Sequence, residues 1–234
     1  MKIALLGYGK MGKVIEKIAL ERGHEIVFIK ASDSTFDGLQ VADVAIEFSI
    51  PTAAVKNISK SLNIGIPVVS GTTGWLENYH DIESLCLQKN TGFIYASNFS
   101  LGVNIFFELN DYLAKMMSKI KQYQVSMQEI HHTQKLDAPS GTAISLANSI
   151  ISNSNYENWT LENPKSNEIF IEAQRIENVP GTHSVFYNSD VDSIQIKHTA
   201  NNREGFALGA VLAAEWIVGK KGVFTMRDVL GLKN

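Results

Sequence analysis

The sequence contains one cysteine, Cys86, among 234 residues, so no disulfide within the chain is available to staple it. That excludes the disulfide-built secreted scaffolds and points to a reducing compartment, the cytoplasm. Cys86 falls on an apolar helical face at residues 84–87 and is read as a packing residue. Long apolar runs are missing too. The first, at residues 2–6, ends in glycines after about five residues, too short for a signal-peptide core or a membrane span. No block of like charge occurs: 21 Lys and Arg are scattered against 24 Asp and Glu, for a net charge of −3. Such a chain has no strong field to draw nucleic acid or an acidic membrane, so neither is expected as a partner. No repeat or low-complexity segment is present. What remains is ordinary for a globular protein, 44% hydrophobic and 19% charged, and long enough for one large domain or two small ones.

The first hundred residues alternate between two periods. Short apolar runs at 2–6, 25–29, 44–48, 67–70 and 93–96 read as buried strands. Helical spacing fills 13–22, 53–62 and 79–88, with Gly23 as a C-cap and Ser49 and Pro51 as a helix start. Strands alternating with ten-residue helices imply a doubly wound parallel sheet. After Asn104 the pattern changes. A long helix over 105–117 leads to an alternating strand at 123–130 and a helix at 142–152. Residues 152–166 are rich in Asn and Ser and read as a surface excursion. Strands of a mixed or antiparallel sheet follow at 168–177, 184–187 and 193–198, and a helix over 206–218 closes the pattern.

Gly7-Tyr8-Gly9-Lys10-Met11-Gly12 fits G-x-G-x-x-G directly after a strand and before a helix. In that setting the first glycine permits the tight turn and the second lets backbone approach a pyrophosphate. The third brings helix and strand together, and the helix N-terminus receives the phosphate charge. The second strand runs into Lys30-Ala31-Ser32-Asp33. Lys30 and Ser32 suit a 2′-phosphate, whereas Asp33 suits a ribose hydroxyl, a balance read as NADPH with NADH tolerated. Gly71-Thr72-Thr73-Gly74 follows the fourth strand, at the carboxyl edge where the nicotinamide half belongs. The same turn would also serve as a helix N-cap.

The densest chemistry runs from Glu129 to Ala143, EIHHTQKLDAPSGTA. Histidine suits proton exchange near neutral pH or, for one of the pair, a structural bond to backbone, and Lys135 suits a carboxylate or a developing carbanion. Ser140-Gly141-Thr142 opens a helix whose unpaired N–H groups favour a carboxylate, with a hydroxyl donor on Thr142; the same residues also read as a plain capping segment with Ser140 as N-cap. Neither a cysteine nor a third ligand stands near the His131-His132 pair in sequence, so no metal is expected. Ser140 lacks the strand–elbow–helix frame of an acyl nucleophile.

This segment resembles the E-x-H-H-x-x-K-x-D-A-P-S-G-T-A signature of the dihydrodipicolinate reductase family. The resemblance extends to residues 7–12, 71–74, 97–104 and 226–230, and is looser between about 152 and 192. It implies a Rossmann-like domain over residues 1–103, completed by 204–234. A second α+β domain over 104–203 would bind substrate and build a homotetramer. It also implies a reductase that transfers hydride from NADPH or NADH to 4-hydroxy-tetrahydrodipicolinate, a small dicarboxylate, in lysine and diaminopimelate biosynthesis. By resemblance, His131 is the proton donor and acceptor and Lys135 the cationic proton donor. His132, Gly141 and Thr142 hold the substrate carboxylates. Gly71, Thr72 and Thr73 contact the cofactor, and Ala96, Ser97, Asn98 and Phe99 lie where the chain crosses domains beside the nicotinamide. Family members often carry an acidic residue at the end of the second strand, where this chain has Ala31 or Ser32. Two other readings belong with this one: another NAD(P)-dependent amino-acid or semialdehyde dehydrogenase, and a non-catalytic NAD(P) sensor. A semialdehyde enzyme needs a reactive cysteine, which Cys86 on its helix does not supply. A sensor needs no acid–base cluster.

Overall fold

A computed structural model describes residues 1–31, 34–202 and 204–232. Ser32, assigned above to cofactor binding, and its alternative Asp33 lie outside the described residues. The chain begins β1 (Lys2–Leu6), α1 (Lys10–Glu21), β2 (Glu25–Lys30), β3 (Val44–Glu47), α2 (Pro51–Asn63), β4 (Val68–Ser70), α3 (Tyr79–Gln88) and β5 (Gly92–Tyr95). It continues through α4 (Leu101–Met117), β6 (Gln124–His131), α5 (Gly141–Ser152), β7 (Asn158–Thr160), β8 (Glu168–Arg175), β9 (Gly181–Asn188) and β10 (Ser193–Ala200). It ends in α6 (Glu204–Ile217), β11 (Gly222–Phe224) and α7 (Met226–Val229). Two compact units result: Met1–Leu101 with Glu204–Asn234, and Gly102–Arg203.

The first unit is built on a parallel six-stranded sheet in the order β11-β5-β4-β3-β1-β2. Its strands are apolar on both faces because both faces are covered. Ile3 and Leu5 point into one layer, shared with Ile15 and Ile18 of α1 and with Ala210, Val211, Ala214 and Ile217 of α6. Ala4 and Leu6 point into the other, with Ala54, Ile58 and Leu62 of α2 and Ile82 and Cys86 of α3. The buried positions of α2 are 54, 57, 58, 61 and 62, one stripe at helical spacing. Pro51 opens that helix at its first turn, where no N–H is missed. Sequence order reverses between β1 and β3, the switch point at which an open α/β sheet leaves a crevice at its carboxyl edge.

The second unit has a mixed five-stranded sheet, β10-β9-β6-β8-β7. The helices α4 and α5 cover one face through Phe106, Leu113, Leu146 and Ile150, against Val125, Met127, Ile169, Ile171 and Val185. Along β6 the buried positions are 125, 127, 129 and 131. The period of two that buries two apolar residues therefore carries Glu129 and His131 into the same covered face. β7 falls inside the stretch expected to be irregular; it pairs with β8 over three residues, too short to show a period. Among the described residues no helix is long and apolar enough to cross a membrane.

Candidate active site

In the first unit, α1 begins inside the glycine motif. Its N-cap is Gly9, with no side chain to close it and no acidic residue in the first turn. The opening N–H groups are thus left for an external anion, with Lys10 and Lys13 beside them. Each glycine has a separate reason. A Cβ at Gly7, where φ is +105°, would meet Phe48 O at 2.2 Å, and one at Gly12 would meet Gly7 O at 2.4 Å. Gly9 faces open space. A cavity of about 320 Å³ lies here, lined by Gly7, Tyr8, Gly9, Lys30, Phe48, Ser49 and neighbouring residues of α2. The Tyr8 hydroxyl is turned onto Glu16, and Met11 packs on the core. Lys30 Nζ donates to Ala31 O at 2.7 Å and lies 5.4 Å from the Phe36 ring centre. Backbone N–H groups, two lysines and an open glycine surface are chemically suited to the pyrophosphate of a dinucleotide.

The turn after β4 differs from expectation. The Thr72 hydroxyl faces inward, donating to Glu47 Oε1 at 3.0 Å and accepting from Ser49 N at 2.8 Å. Ser70 Oγ donates to Glu47 Oε2 at 2.8 Å, and the Ser49 hydroxyl also closes on this carboxyl group. Glu47, fully buried at the end of β3, therefore ties the β3 and β4 turns together; sequence reading passed over it. Thr72 is not the cap of the next helix, since the short 3-10 turn that follows is entered from Trp75. Gly71 is needed because a Cβ there would strike the Phe48 ring at 2.2 Å. Thr73 is exposed and remains available. Of residues 96–99, Ser97 is exposed and Ala96 and Asn98 half-buried, while Phe99 is 1% exposed and belongs to the core, its carbonyl against Gly209.

In the second unit, β6 ends at His131, with Glu129 two residues earlier. Glu129 Oε2 pairs with His131 Nδ1, and Glu129 Oε1 accepts from Arg175 Nη1 at 2.9 Å. Burial pushes the Glu129 carboxyl up, but the His131 and Arg175 hydrogen bonds together outweigh it and hold the group below the usual range. The His183 ring on β9 stands edge-on to His131, centres 4.9 Å apart. Burial, helped by the nearby His131, pushes His183 down to about 3, so this ring is neutral. Its Nε2 meets Ser140 Oγ at 2.9 Å, and Ser140 in turn caps α5 by accepting from Ala143 N. Lys135 Nζ reaches both Asp137 carboxylate oxygens at 2.8 and 2.9 Å, which holds Asp137 below its ordinary range.

The structure thus joins His131, Lys135 and the start of α5 through Glu129, Arg175, His183 and Ser140. His132 points elsewhere, into a cavity of about 470 Å³ lined also by Thr133, Gln134, Asn178, Pro180 and Asn202. Its Nδ1 is buried with no partner among the described residues. Gly141 is exposed, with open space where a Cβ would stand, and Thr142 is half-buried. The expectation that no third ligand lies near the histidines does not hold in space, because Glu129, His131 and His183 offer ligand atoms within 4.8 Å of one another. Arg175 already sets a positive charge on the same carboxylate, so the cluster is better suited to sharing a proton than to holding a divalent ion.

One unit with a glycine turn of dinucleotide-binding form at a topological switch point, and another with a buried acid–base cluster, define a nicotinamide-dependent reductase. Two family sequence models match, dihydrodipicolinate reductase N-terminus over residues 1–99 and dihydrodipicolinate reductase C-terminus over residues 102–230. The chain belongs to the dihydrodipicolinate reductase family. It is 55% identical to the 4-hydroxy-tetrahydrodipicolinate reductase of Christiangramia forsetii, over 98% of both chains. It is 33% identical to the enzyme of that name from Thermosipho africanus, again over 98% of both. The fold matches that of a dipicolinate-bound dihydrodipicolinate reductase from Paenisporosarcina sp. TG-14 with a TM-score of 0.80 and 21% identity, covering 96% of this chain and 97% of the other.

Proposed function

We propose that this chain reduces 4-hydroxy-tetrahydrodipicolinate, a six-membered ring with two carboxylates, in lysine and diaminopimelate biosynthesis. The observation that supports the reading best is the single network joining His131, Lys135 and the capped start of α5. When bound, NADH or NADPH supplies the hydride. Gly7, Gly9, Lys10 and Gly12 hold its pyrophosphate, and Lys30 and Thr73 border the nucleotide. The backbone N–H groups at Gly141 and Thr142, with the Thr142 hydroxyl, take one carboxylate of the ring at the positive end of α5. His132 takes the other from the cavity that it lines. Loss of the 4-hydroxyl as water gives the conjugated ring, and hydride addition to it leaves an electron pair on carbon that one proton must meet. Lys135 donates that proton, and His131 exchanges protons at the same centre. The first unit carries the cofactor, and the second carries substrate and builds a homotetramer in the cytoplasm.

The test is the decay of NADPH and NADH absorbance when the condensation product of pyruvate and aspartate semialdehyde is supplied. Lys135→Ala should lower turnover by about 10²–10⁴-fold with cofactor affinity unchanged, the range a positioned acid contributes. Near-normal turnover in that variant would overturn the assignment.

A further inference from the structure

Glu129 and His131 share the covered face of β6, yet Glu129 is fully buried and has no route to a ligand. Its two oxygens are divided between two partners. One faces His131 Nδ1, and the other accepts from Arg175. Arg175 spends its remaining donors on backbone carbonyls: Nε on Lys135 O at 3.2 Å, Nη1 on Gln174 O at 2.7 Å and Nη2 on Asp137 O at 2.6 Å. The guanidinium therefore fixes the carboxylate and the 132–137 loop in one geometry, a use that the planar fork of arginine allows and lysine does not.

We propose that Glu129, anchored by Arg175, is a positioning residue that sets the tautomer of His131, holding the proton on Nδ1 and leaving Nε2 bare for proton transfer. The proposal rests on the reading of His131 as a proton-transfer group. A neutral imidazole carries one N–H, and an ionised carboxylate only accepts. Pairing Nδ1 with Glu129 therefore assigns the proton to that side and stabilises the imidazolium once Nε2 is protonated. The opposite side is kept clear by a missing side chain: a Cβ at Gly181 would stand 3.0 Å from His131 Nε2. The other groups around His131 fit the same assignment. His183 on β9 is neutral and edge-on, its Nε2 occupied by Ser140 at the head of α5. Arg175 on β8 faces the carboxylate, and Lys135 lies in the loop that Arg175 holds.

The test uses the full-length protein with ¹⁵N-labelled histidine, whose ring nitrogens distinguish the two tautomers by NMR. His131→Asn identifies the His131 signals. Wild type should show Nδ1–H at His131 near neutral pH, and Glu129→Gln should lose that preference. In the same variant kcat should fall roughly 10- to 100-fold, a share of the about 10²–10⁴ that a positioned acid–base group supplies. KM for NADPH should stay within about twofold, and the acidic limb of the pH profile should move to lower pH as the imidazolium loses its carboxylate. Arg175→Lys keeps the charge but loses the fork, and should weaken the same preference to an intermediate degree; it serves if Glu129→Gln does not fold. An Nε2–H signal in wild type, or an unaltered Nδ1–H signal in both variants, overturns the proposal. Full turnover in His131→Asn would instead remove the underlying role of His131, while the NMR result still decides what Glu129 does.

Discussion

Only a hydrogen atom fits between α1 and the β1 turn at Gly12, since a methyl group there would sit 2.4 Å from a backbone oxygen. Gly12→Ala should therefore part helix from strand, costing about 1–3 kcal/mol of stability, the usual scale of overpacking. NADPH affinity should weaken at least tenfold, read by fluorescence titration. Glu47 offers a second residue-scale test. Its removal strands the buried hydroxyls of Ser70 and Thr72, each unmet donor costing about 1–3 kcal/mol. Glu47→Leu should lower the urea midpoint and loosen the cofactor turn together; a variant as stable as wild type would show that the hydroxyls find other partners. Glycines and histidines in a contiguous motif were legible because their spacing is local. Glu47, Arg175 and His183 were not. Their roles depend on strand register, which sets His131 opposite Arg175 and Glu129 opposite His183 across more than forty residues of sequence.

Helix α5 combines a sequence signal that was readable with a partnership that was not. Ser140 before Gly141 and Thr142 reads as an N-cap, and its hydroxyl does accept from Ala143 N, yet it also meets His183 from β9. Ser140→Ala should cost about 0.5–2 kcal/mol through the cap, measured by chemical unfolding. If Gly141 and Thr142 hold a carboxylate, substrate KM should rise more than the KM for NADPH. Elsewhere, long periodic segments were recognised, whereas two short strands were missed. β7 and β11 each span three residues and owe their existence to a neighbour already in place, Ile169 for one and Phe93 for the other. α1 and α4 begin earlier than the apolar period suggested, because glycine and Asn98–Ser100 turns set their first residues.

For the whole molecule, buried ionisable groups make stability depend on pH in a stated direction. His183 is pushed from 6.5 to about 3 in the fold, so between those values the unfolded chain binds the extra proton. Its contribution is complete above pH 6.5 and drains away as pH falls toward 3. His198, lowered by burial, acts in the same sense. Glu129, held below 4.5, contributes above that value and loses its share as pH drops through the lowered one. Urea unfolding from pH 7 to pH 4 should show a steady loss of stability in wild type. The slope should be shallower in His183→Gln, and an equal slope would assign the loss to other groups.

The parallel sheet of the first unit was legible from alternation alone, but its last strand was not, because β11 begins at Gly222, 127 residues beyond the end of β5 at Tyr95.

 Counted from Tyr95 to Gly222, the whole second unit intervenes. Helix α6 belongs to the same late segment and buries Ala207, Ala210, Val211, Ala213, Ala214 and Ile217 against strands made at the beginning. A growing chain consequently emerges from the ribosome with its nucleotide sheet lacking one covering helix and one edge. The interrupting unit, continuous from Gly102 to Arg203, is whole before either arrives. Synthesis thus leaves the nucleotide unit to be completed last, after the unit that interrupts it.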